Sequence, residues 1–238
     1  MKLFFVVPFL FLMSCTQSSC ISVVINQSKT DSASKDGVDE RYLSVARLLA
    51  RSKDDPESGY AATGFAVDKN HVLTAGHFCE SFVSALLENK GVDTIDALYF
   101  DGEKFKRKDG YTVIRIDKVN DVCLLKRRWH SLSTVSFQKE DSVDVGDKIS
   151  VLGAPLGVFP SMADGYVIQP NNRVYRNKQI LGTLMLAVNV YPGNSGSPIY
   201  DENQKVVGMI TSAVGPIAIA VRAQVLVKFL ESCGVKVK

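Results

Sequence analysis

Short β-rich runs separated by turn residues make up most of this chain. Turns are marked by Asp101-Gly102, Asp109-Gly110 and Gly146-Asp147, and by the stretches 170–172 and 201–203. The runs that we expect to form strands are Gly64–Val67, Thr94–Phe100, Tyr111–Val119, Val122–Leu125, Lys148–Leu152, Leu184–Tyr191 and Val206–Ser212. Because short strands at this spacing, with few helices between them, are typical of sandwiches and barrels, we predict a mostly antiparallel, all-β chain.

Two segments have helical spacing instead. Apolar side chains between Glu40 and Ser52 are three to four residues apart, at Tyr42, Val45, Leu48 and Leu49. The segment Arg222–Ser232 returns to the same spacing near the end of the chain. This periodicity predicts a short helix at the start of the folded part and another at its C-terminus.

The first forty residues have the layout of an export signal and a tether. Lys2 precedes a short apolar run over 3–13, and Leu12–Cys15 resembles the lipobox at which bacterial lipoproteins are cut and acylated on cysteine. We therefore expect a signal peptide over 1–15 with lipidation of Cys15; ordinary signal cleavage nearby is the alternative. Residues 16–40 are rich in Ser, Thr, Asp and Lys, which predicts a flexible tether.

Composition narrows the class of protein. The 238 residues are 46% hydrophobic, and 28 basic residues against 25 acidic ones leave a net charge of +3. Nucleic-acid binders usually carry a concentrated basic face, so we expect no nucleic-acid partner. No apolar run approaches the ~20 residues of a membrane-spanning helix, and no Gly-rich phosphate loop suggests a nucleotide. We predict a globular domain without a cofactor.

Five cysteines leave the disulfide pattern open. If Cys15 carries lipid, the remaining four are Cys20, Cys79, Cys123 and Cys233, which allow three pairings in an exported chain. Cys79 and Cys123 are equally well interpreted as small buried hydrophobic residues. A metal site formed by His71, His77 and Cys79 would lack a second pair of ligands at the usual spacing, so we predict none.

The strongest chemical motif is Tyr191–Pro198, which reads YPGNSGSP. A hydroxyl nucleophile needs a tight backbone turn whose N–H groups point at the oxyanion of the intermediate. The glycines on both sides of Ser195 permit such a turn. A plain surface turn is the alternative, because Gly, Asn, Ser and Pro are common turn residues.

Two further motifs supply partners for this serine. Val72–His77 is a β-rich run that ends in small residues and a histidine, the side chain best suited to exchange a proton near neutral pH. In Asn120–Leu125, Asp121 directly precedes an apolar strand, where a carboxylate could accept the imidazole Nδ1–H and fix its tautomer. An ordinary histidine and a turn-capping Asp are the alternatives.

The order His77, Asp121, Ser195 resembles that of the trypsin-like serine proteases. The likeness covers about residues 60–232, and the acid and the histidine lie in one half of it with the serine in the other. It implies two antiparallel β-barrels, over about 41–135 and 136–238, with the catalytic triad across their cleft. The predicted N-terminal and C-terminal helices would flank them.

Within this superfamily the chain is most similar to the HtrA-type proteases. The matching stretches are Val145–Lys148, Leu152–Gly157, Val206–Thr211 and Pro216–Val221. Ser197 stands where that family more often has glycine, a small change that leaves the turn plausible. The chain ends at Lys238, so we expect no PDZ domain after the protease half.

The resemblance also implies a role for each residue of the site. Ser195 Oγ would attack a peptide carbonyl, His77 would carry the proton to the leaving amine, and Asp121 would orient His77. The backbone N–H groups of Gly193 and Ser195 would form the oxyanion hole. Asn194 is neutral, whereas zymogen-type relatives have an Asp here that pairs with a newly cut N-terminus, so we expect no activating cleavage.

Four residues match the substrate pocket of these relatives. Asn189 corresponds to the pocket floor, and Thr211, Ser212 and Ala213 correspond to one wall. These residues are small or uncharged, which favours modest uncharged side chains before the scissile bond. The Thr211 hydroxyl also matches the position that supports the triad carboxylate.

Together these features predict a serine endopeptidase that acts on exported or envelope polypeptides. Its membrane contact would come only from a lipid on Cys15, and its location would be the cell envelope, the periplasm or outside the cell. Two alternatives remain: a catalytically silent protease-fold binding module tethered at the envelope, and a β domain without peptidase activity that only docks partners.

Overall fold

β-strands dominate the computed structural model, which describes residues 39–51, 59–108, 110–128, 132–138, 143–170 and 182–237. The predicted signal peptide, Cys15, Cys20 and the tether as far as residue 38 lie outside the described residues. The predicted fold class is confirmed, because two antiparallel β units account for most of the described chain. Within these ranges, neither α-helix is long and apolar enough to cross a bilayer.

The first β unit is a seven-stranded antiparallel sheet in the order β5-β4-β1-β2-β3-β7-β6. Its strands are β1 (Val45–Arg51), β2 (Gly59–Ala66), β3 (His71–Ala75), β4 (Thr94–Phe100), β5 (Phe105–Lys108), β6 (Thr112–Asp117) and β7 (Val122–Lys126). Helix α1 (Gly76–Leu87) follows β3 directly and packs its buried face on this sheet.

The second β unit is a closed six-stranded barrel in the order β10-β13-β12-β11-β8-β9. Its strands are β8 (Lys148–Gly153), β9 (Ser161–Gln169), β10 (Thr183–Ala187), β11 (Pro198–Tyr200), β12 (Val206–Val214) and β13 (Ile217–Arg222). A single 3-10 turn, Pro155–Gly157, links β8 to β9, and helix α2 (Ala223–Ser232) follows β13.

A shared apolar core joins the two units. Val45 and Phe65 from the first sheet belong to the same buried cluster as Leu152 and Met209 from the barrel and Leu226 from α2. Each unit also has a core of its own. Burial of apolar area is the main favourable term in folding, so this shared cluster holds the two units against each other.

The predicted N-terminal helix is wrong beyond Ser44. A 3-10 helix covers Glu40–Ser44, with Asp39 Oδ1 accepting a hydrogen bond from Arg41 N at 3.0 Å. From Val45 onward the chain is strand β1, which lies between β2 and β4. One face of β1, with Ala46, Leu48 and Ala50, is buried in the core of the first unit, whereas on the other face only Val45 belongs to the shared core and Leu49 is partly buried. Because Leu49 on this second face directly follows the buried Leu48, the apolar residues do not alternate and imitate helical spacing.

Cys79 and Cys123 form a disulfide with a Cα–Cα distance of 6.4 Å. Their interpretation as separate buried hydrophobic residues is therefore wrong, although both are fully buried. The bond also removes Cys79 from any set of metal ligands. Cys233 is a free, partly exposed cysteine at the end of α2.

Candidate active site

His77 lies in the first turn of α1, directly after β3. The preceding Gly76 donates its N–H to Asp121 O at 2.9 Å. A Cβ atom on Gly76 would lie only 2.9 Å from Val122 N and 3.0 Å from Asp121 Oδ1. Glycine is therefore required for the start of α1 to approach the β6–β7 turn, and this approach brings the imidazole to Asp121.

Asp121 occupies the turn between β6 and β7 with a positive φ of 55°, a conformation that Asp adopts more readily than most residues. Its Oδ1 accepts a hydrogen bond from His77 N at 2.7 Å, and its Oδ2 lies 2.9 Å from His77 Nδ1. Because a carboxylate accepts and cannot donate, Nδ1 carries the proton and Nε2 is the free base. One carboxylate thus caps α1 and fixes the imidazole tautomer.

The hydrogen bond from Asp121 raises the pKa of His77 above its usual value, since the carboxylate stabilises the protonated ring. Burial opposes this shift, and the charges of Asp121 and Glu80 add to it. About half of the His77 side chain surface is exposed. The imidazole is therefore accessible to solvent and to a substrate.

The disulfide crosses between the same two segments as the His77–Asp121 contact. Cys79 lies two residues after His77, and Cys123 lies two residues after Asp121. The covalent bond therefore joins the start of α1 to the start of β7. It restrains the two backbones whose separation decides whether the carboxylate reaches the ring.

Ser195 lies on a tight turn between two glycines with positive φ, Gly193 at 100° and Gly196 at 84°. A Cβ atom on Gly193 would lie 2.2 Å from Ala154 O, and one on Gly196 would lie 2.1 Å from Thr63 O. The turn is thus packed between the end of β8 and strand β2. A Cβ atom on Gly196 would also lie 2.9 Å from the backbone nitrogen of Ala75, two residues before His77.

Three hydrogen bonds fix the carbonyl groups of this turn. Thr63 donates its backbone N–H to Ser195 O at 2.8 Å and its hydroxyl to Gly193 O at 2.7 Å. Leu156 N donates to Pro192 O at 2.7 Å. With their carbonyl groups held in this way, the peptide units of the turn have a defined orientation.

The amides of the turn fall into two groups. Asn194 N donates to Tyr191 O and Gly196 N donates to Ile210 O. For the amides of Gly193 and Ser195, the described part of the chain provides no acceptor. These two donors are the ones that the sequence predicted for an oxyanion hole.

The hydroxyl of Ser195 has no hydrogen bond to His77 within the described ranges. In the absence of substrate, catalytic hydrogen bonds are often long or poorly aligned. The structure therefore brings His77 and Asp121 into direct contact and places the Ser195 turn next to them.

The predicted pocket residues belong to the barrel, on β12 and shortly before the Ser195 turn. Asn189 is exposed shortly before the turn, and Ser212 and Ala213 are exposed at the end of β12. Thr211 is buried and donates its hydroxyl to Ile219 O at 3.2 Å. This hydroxyl was expected to support the Asp121 carboxylate, but in the structure it donates to a backbone carbonyl instead.

Asn194 and Ser197 are both buried behind the turn. A Cβ atom on Gly153 would lie 2.0 Å from Ser197 Oγ and 2.7 Å from Asn194 Oδ1, so the bare backbone of Gly153 makes room for both side chains. The Ser197 side chain is thus accommodated beside Gly153, and its buried Oγ has no hydrogen-bond partner among the described residues.

Comparison with known proteins agrees with this geometry. The family model of the trypsin-like peptidase domain matches residues 62–209, more than half of the chain, and includes His77, Asp121 and Ser195. The chain belongs to the trypsin-like peptidase family. The predicted resemblance to this family is thus confirmed.

The relatives of this peptidase domain include HtrA-type enzymes. It is 27% identical over 154 residues to a probable periplasmic serine endoprotease DegP-like of Pseudomonas fulva, covering 64% of this chain and 29% of that protein. A protein of the same name from Pseudomonas putida is 30% identical over 171 residues, covering 71% and 33%. The peptidase domain therefore spans about a third of the length of the curated relatives it matches.

Solved structures share the fold. The crystal structure of Deg5 has a TM-score of 0.66 at 19% identity, covering 83% of this chain and 93% of that one. The serine endoprotease from Yersinia pestis has a TM-score of 0.65 at 16% identity, covering 81% and 63%. At these identities the likeness supports the double β architecture alone.

Sequence reasoning left the Cys79–Cys123 pairing open and missed the role of Thr63 in the peptidase domain. The disulfide had a usable signal, because Cys79 and Cys123 are separated by 44 residues, the same spacing as His77 and Asp121. Two pairs of residues with the same spacing indicate that the segment after His77 and the segment after Asp121 run side by side. Thr63 had no such signal, because its role depends on a hydrogen bond to Gly193, 130 residues away.

Proposed function

We propose that this domain is a serine endopeptidase that hydrolyses peptide bonds of exported or envelope proteins. One observation carries the proposal. His77 is held through Nδ1 by Asp121 at 2.9 Å, next to a turn whose Gly193 and Ser195 amides have no acceptor among the described residues. A general base and an oxyanion hole are the two requirements of an activated serine.

The first half of the reaction acylates the enzyme. Ser195 Oγ attacks the carbonyl carbon while His77 Nε2 takes the hydroxyl proton, and the carbonyl oxygen becomes an oxyanion. The amides of Gly193 and Ser195 donate to that oxygen, and Asp121 stabilises the imidazolium. The tetrahedral intermediate collapses, the C–N bond breaks, and His77 returns the proton to the leaving amine.

The second half releases the acyl group. A water molecule gives a proton to His77 Nε2 and attacks the ester carbonyl, again through an oxyanion that the same amides bind. The Ser195 Oγ–carbon bond then breaks and His77 returns the proton to Oγ. The hydrolysis balances without any cofactor.

The pocket residues suggest a preference for modest uncharged side chains before the scissile bond. Asn189, Ser212 and Ala213 are exposed and carry no charge. A peptide library profiled by mass spectrometry is expected to show small or apolar residues there. Dominant cleavage after Arg or Lys would contradict this assignment.

Activity is expected without N-terminal processing. The neutral Asn194 is buried behind the turn and cannot form an ion pair with a new N-terminal ammonium. Turnover is measured before and after trimming the chain around residues 40–60. A large rise on trimming would overturn this expectation.

An exported location is supported by the names of the relatives, which are periplasmic endoproteases. Lipidation of Cys15 remains a prediction from the lipobox-like stretch. Labelling of cells with a radioactive fatty acid, for wild type and for Cys15→Ser, tests it directly. Label on the wild type alone supports a lipoprotein, and label on neither supports ordinary cleavage.

Fluorophosphonate labelling tests the proposed chemistry. Such reagents modify a serine that is already activated by its base and oxyanion hole, so wild type is expected to react and Ser195→Ala and His77→Ala are not. Circular dichroism confirms that all three proteins are folded. A folded wild type that does not react would favour the catalytically silent binding module.

A further inference from the structure

Arg47 on β1 is a cation to which the described residues give no partner. Its Nε is buried without an acceptor, and no ion pair or hydrogen bond reaches its guanidinium within the described ranges. Two other arginines of this region are paired: Arg41 with Asp39 and Arg51 with Asp96. A buried donor without an acceptor is costly, so the partly buried Arg47 is a candidate to bind an anion that the described residues do not supply.

The sheet register places Arg47 next to the catalytic turn. Arg47 pairs with Thr63 on one side and with Leu98 on the other. Directly paired residues have Cβ atoms about 5 Å apart on the same face of a sheet. Since the Thr63 hydroxyl contacts Gly193 O, Arg47 is one strand away from the residue that holds the oxyanion turn.

The guanidinium itself lies against the loop that flanks this turn. A Cβ atom on Gly157 would lie 3.4 Å from Arg47 Nη2 and 3.5 Å from Cζ. The neighbouring Leu156 holds Pro192 O through its N–H, and its side chain is 70% exposed. The charged group is therefore located beside an open surface that continues from the catalytic turn.

The electrostatics of this place favour an anion. Burial lowers the pKa of Arg47, and the positive charge of Arg107 lowers it further. Arg107 pairs with Leu98 in the same cross-strand row, so the two cations face the same side of the sheet. The carboxylate that approaches Arg107 is Asp96, whose Oδ2 lies 3.8 Å from Arg107 Nε and is already bound by Arg51.

The position of Arg47 relative to the other site residues decides which part of a substrate it meets. The predicted pocket residues Asn189, Ser212 and Ala213 belong to the barrel, so the acyl part of the substrate lies there. Arg47 belongs to the first sheet, as does the strand that leads to His77, which protonates the leaving amine. Arg47 lies one strand from the residue that contacts Gly193 O, and an extended chain advances about 3.3 Å per residue. We therefore expect Arg47 to meet the second or third residue after the scissile bond.

We propose that Arg47 binds a carboxylate of the polypeptide segment that follows the scissile bond. This rests on the proposed peptidase function and names a substrate preference of the same site. The carboxylate comes either from a Glu or Asp side chain or from the C-terminus of a short substrate. The planar fork of a guanidinium matches both carboxylate oxygens, which a Lys ammonium does not.

Quenched fluorescent peptides that differ only after the scissile bond test this preference. Glu is compared with Gln at the second and third positions, and a free C-terminal carboxylate is compared with the amide. Wild type is expected to cleave the carboxylate-bearing peptides about tenfold faster in kcat/KM, as for a charge-assisted hydrogen bond. In Arg47→Met, which keeps an apolar stem, the ratio is expected to fall to about one.

Two controls sharpen the comparison. Arg47→Lys keeps the charge without the fork and is expected to retain only part of the preference. Arg115→Met removes an equal charge from β6, an edge strand four strands away from β1, and is expected to leave the ratio unchanged. An equal Glu-to-Gln ratio in wild type and Arg47→Met overturns the proposal. Selectivity for Glu, or for the free C-terminus, identifies the source of the carboxylate.

Binding to the Ser195→Ala protein separates this proposal from the proposed function. Fluorescence anisotropy with the same Glu and Gln peptides needs no turnover. If wild type cleaves none of the peptides, this contradicts the peptidase proposal but does not bear on the carboxylate site. Tighter binding of the Glu peptide that is lost in Ser195→Ala/Arg47→Met would still support the carboxylate site, and equal binding of the two peptides would refute it.

Discussion

Replacing Thr63 by Val removes one hydroxyl with almost no change in side chain shape. That hydroxyl donates to Gly193 O at 2.7 Å and accepts from Ala154 N at 3.1 Å, and the side chain is fully buried. The substitution therefore leaves a buried carbonyl and a buried amide without partners. At about 1–3 kcal/mol for each unsatisfied group, the combined cost is about 2–6 kcal/mol.

This cost is expected to divide between stability and catalysis. If the turn shifts to recover a partner for Gly193 O, the amides of Gly193 and Ser195 no longer point together at the oxyanion. Loss of one oxyanion-hole donor lowers kcat about 10²–10³-fold. KM is expected to change little, since the hydrogen bonds from the turn amides to the substrate oxygen strengthen only in the transition state.

Thr63→Ser is the matched control, because it keeps the hydroxyl and loses only a methyl group. We expect it to cost about 1 kcal/mol of the free energy of unfolding and to change kcat only a few-fold. The assay combines urea unfolding in the Ser195→Ala background with kcat and KM of the active protein. A normal kcat in Thr63→Val, or an equal loss of kcat in Thr63→Ser, would refute the positioning role.

Three further substitutions test separate parts of the site. Replacing Cys79 and Cys123 by Ser opens a 44-residue loop and is expected to lower the free energy of unfolding by about 4 kcal/mol in urea; a midpoint equal to that of the oxidised wild type would contradict this. Asp121→Asn is expected to lower kcat about 10⁴-fold. Because the Asp121 hydrogen bond raises the pKa of His77 and the neutral ring is the base, the acid limb of kcat/KM should move to lower pH; an upward shift would be inconsistent. Gly196→Ala would place a Cβ atom 2.1 Å from a carbonyl oxygen of β2 at a φ of +84°, so a folded protein without fluorophosphonate labelling is expected, and full labelling would argue against it.

Local patterns predicted those elements whose signals are local. The strand Thr94–Phe100 was predicted with its observed bounds, and the C-terminal helix differs by one residue from Ala223–Ser232. Strand β5, Phe105–Lys108, was missed because it is short, charged and mostly exposed at the edge of the sheet. Its strand conformation comes from pairing with β4, which no pattern within four residues reveals.

Helix α1 shows why the site needed the structure. Its N-cap residue, Ala75, forms no side chain cap, and its first turn contains no acidic residue. The usual start signal of a helix is therefore absent from the sequence around it. The group that caps it is the carboxylate of Asp121, 44 residues away. The residue types of the triad could be recognised in the sequence, but this shared hydrogen bonding could not.

The double hydrogen bonding of Asp121 has a consequence for how such a domain can change during evolution. If Ser195 and His77 act as proposed, loss of either abolishes catalysis and leaves the start of α1 capped, because the backbone N–H of residue 77 is kept. Loss of Asp121 would remove the cap as well, at a typical cost of about 1 kcal/mol. In descendants of this lineage that abandon hydrolysis for a docking role, the serine and the histidine are thus expected to be replaced first. Asp121 would be retained in such proteins after catalysis is lost, because its carboxylate still caps α1.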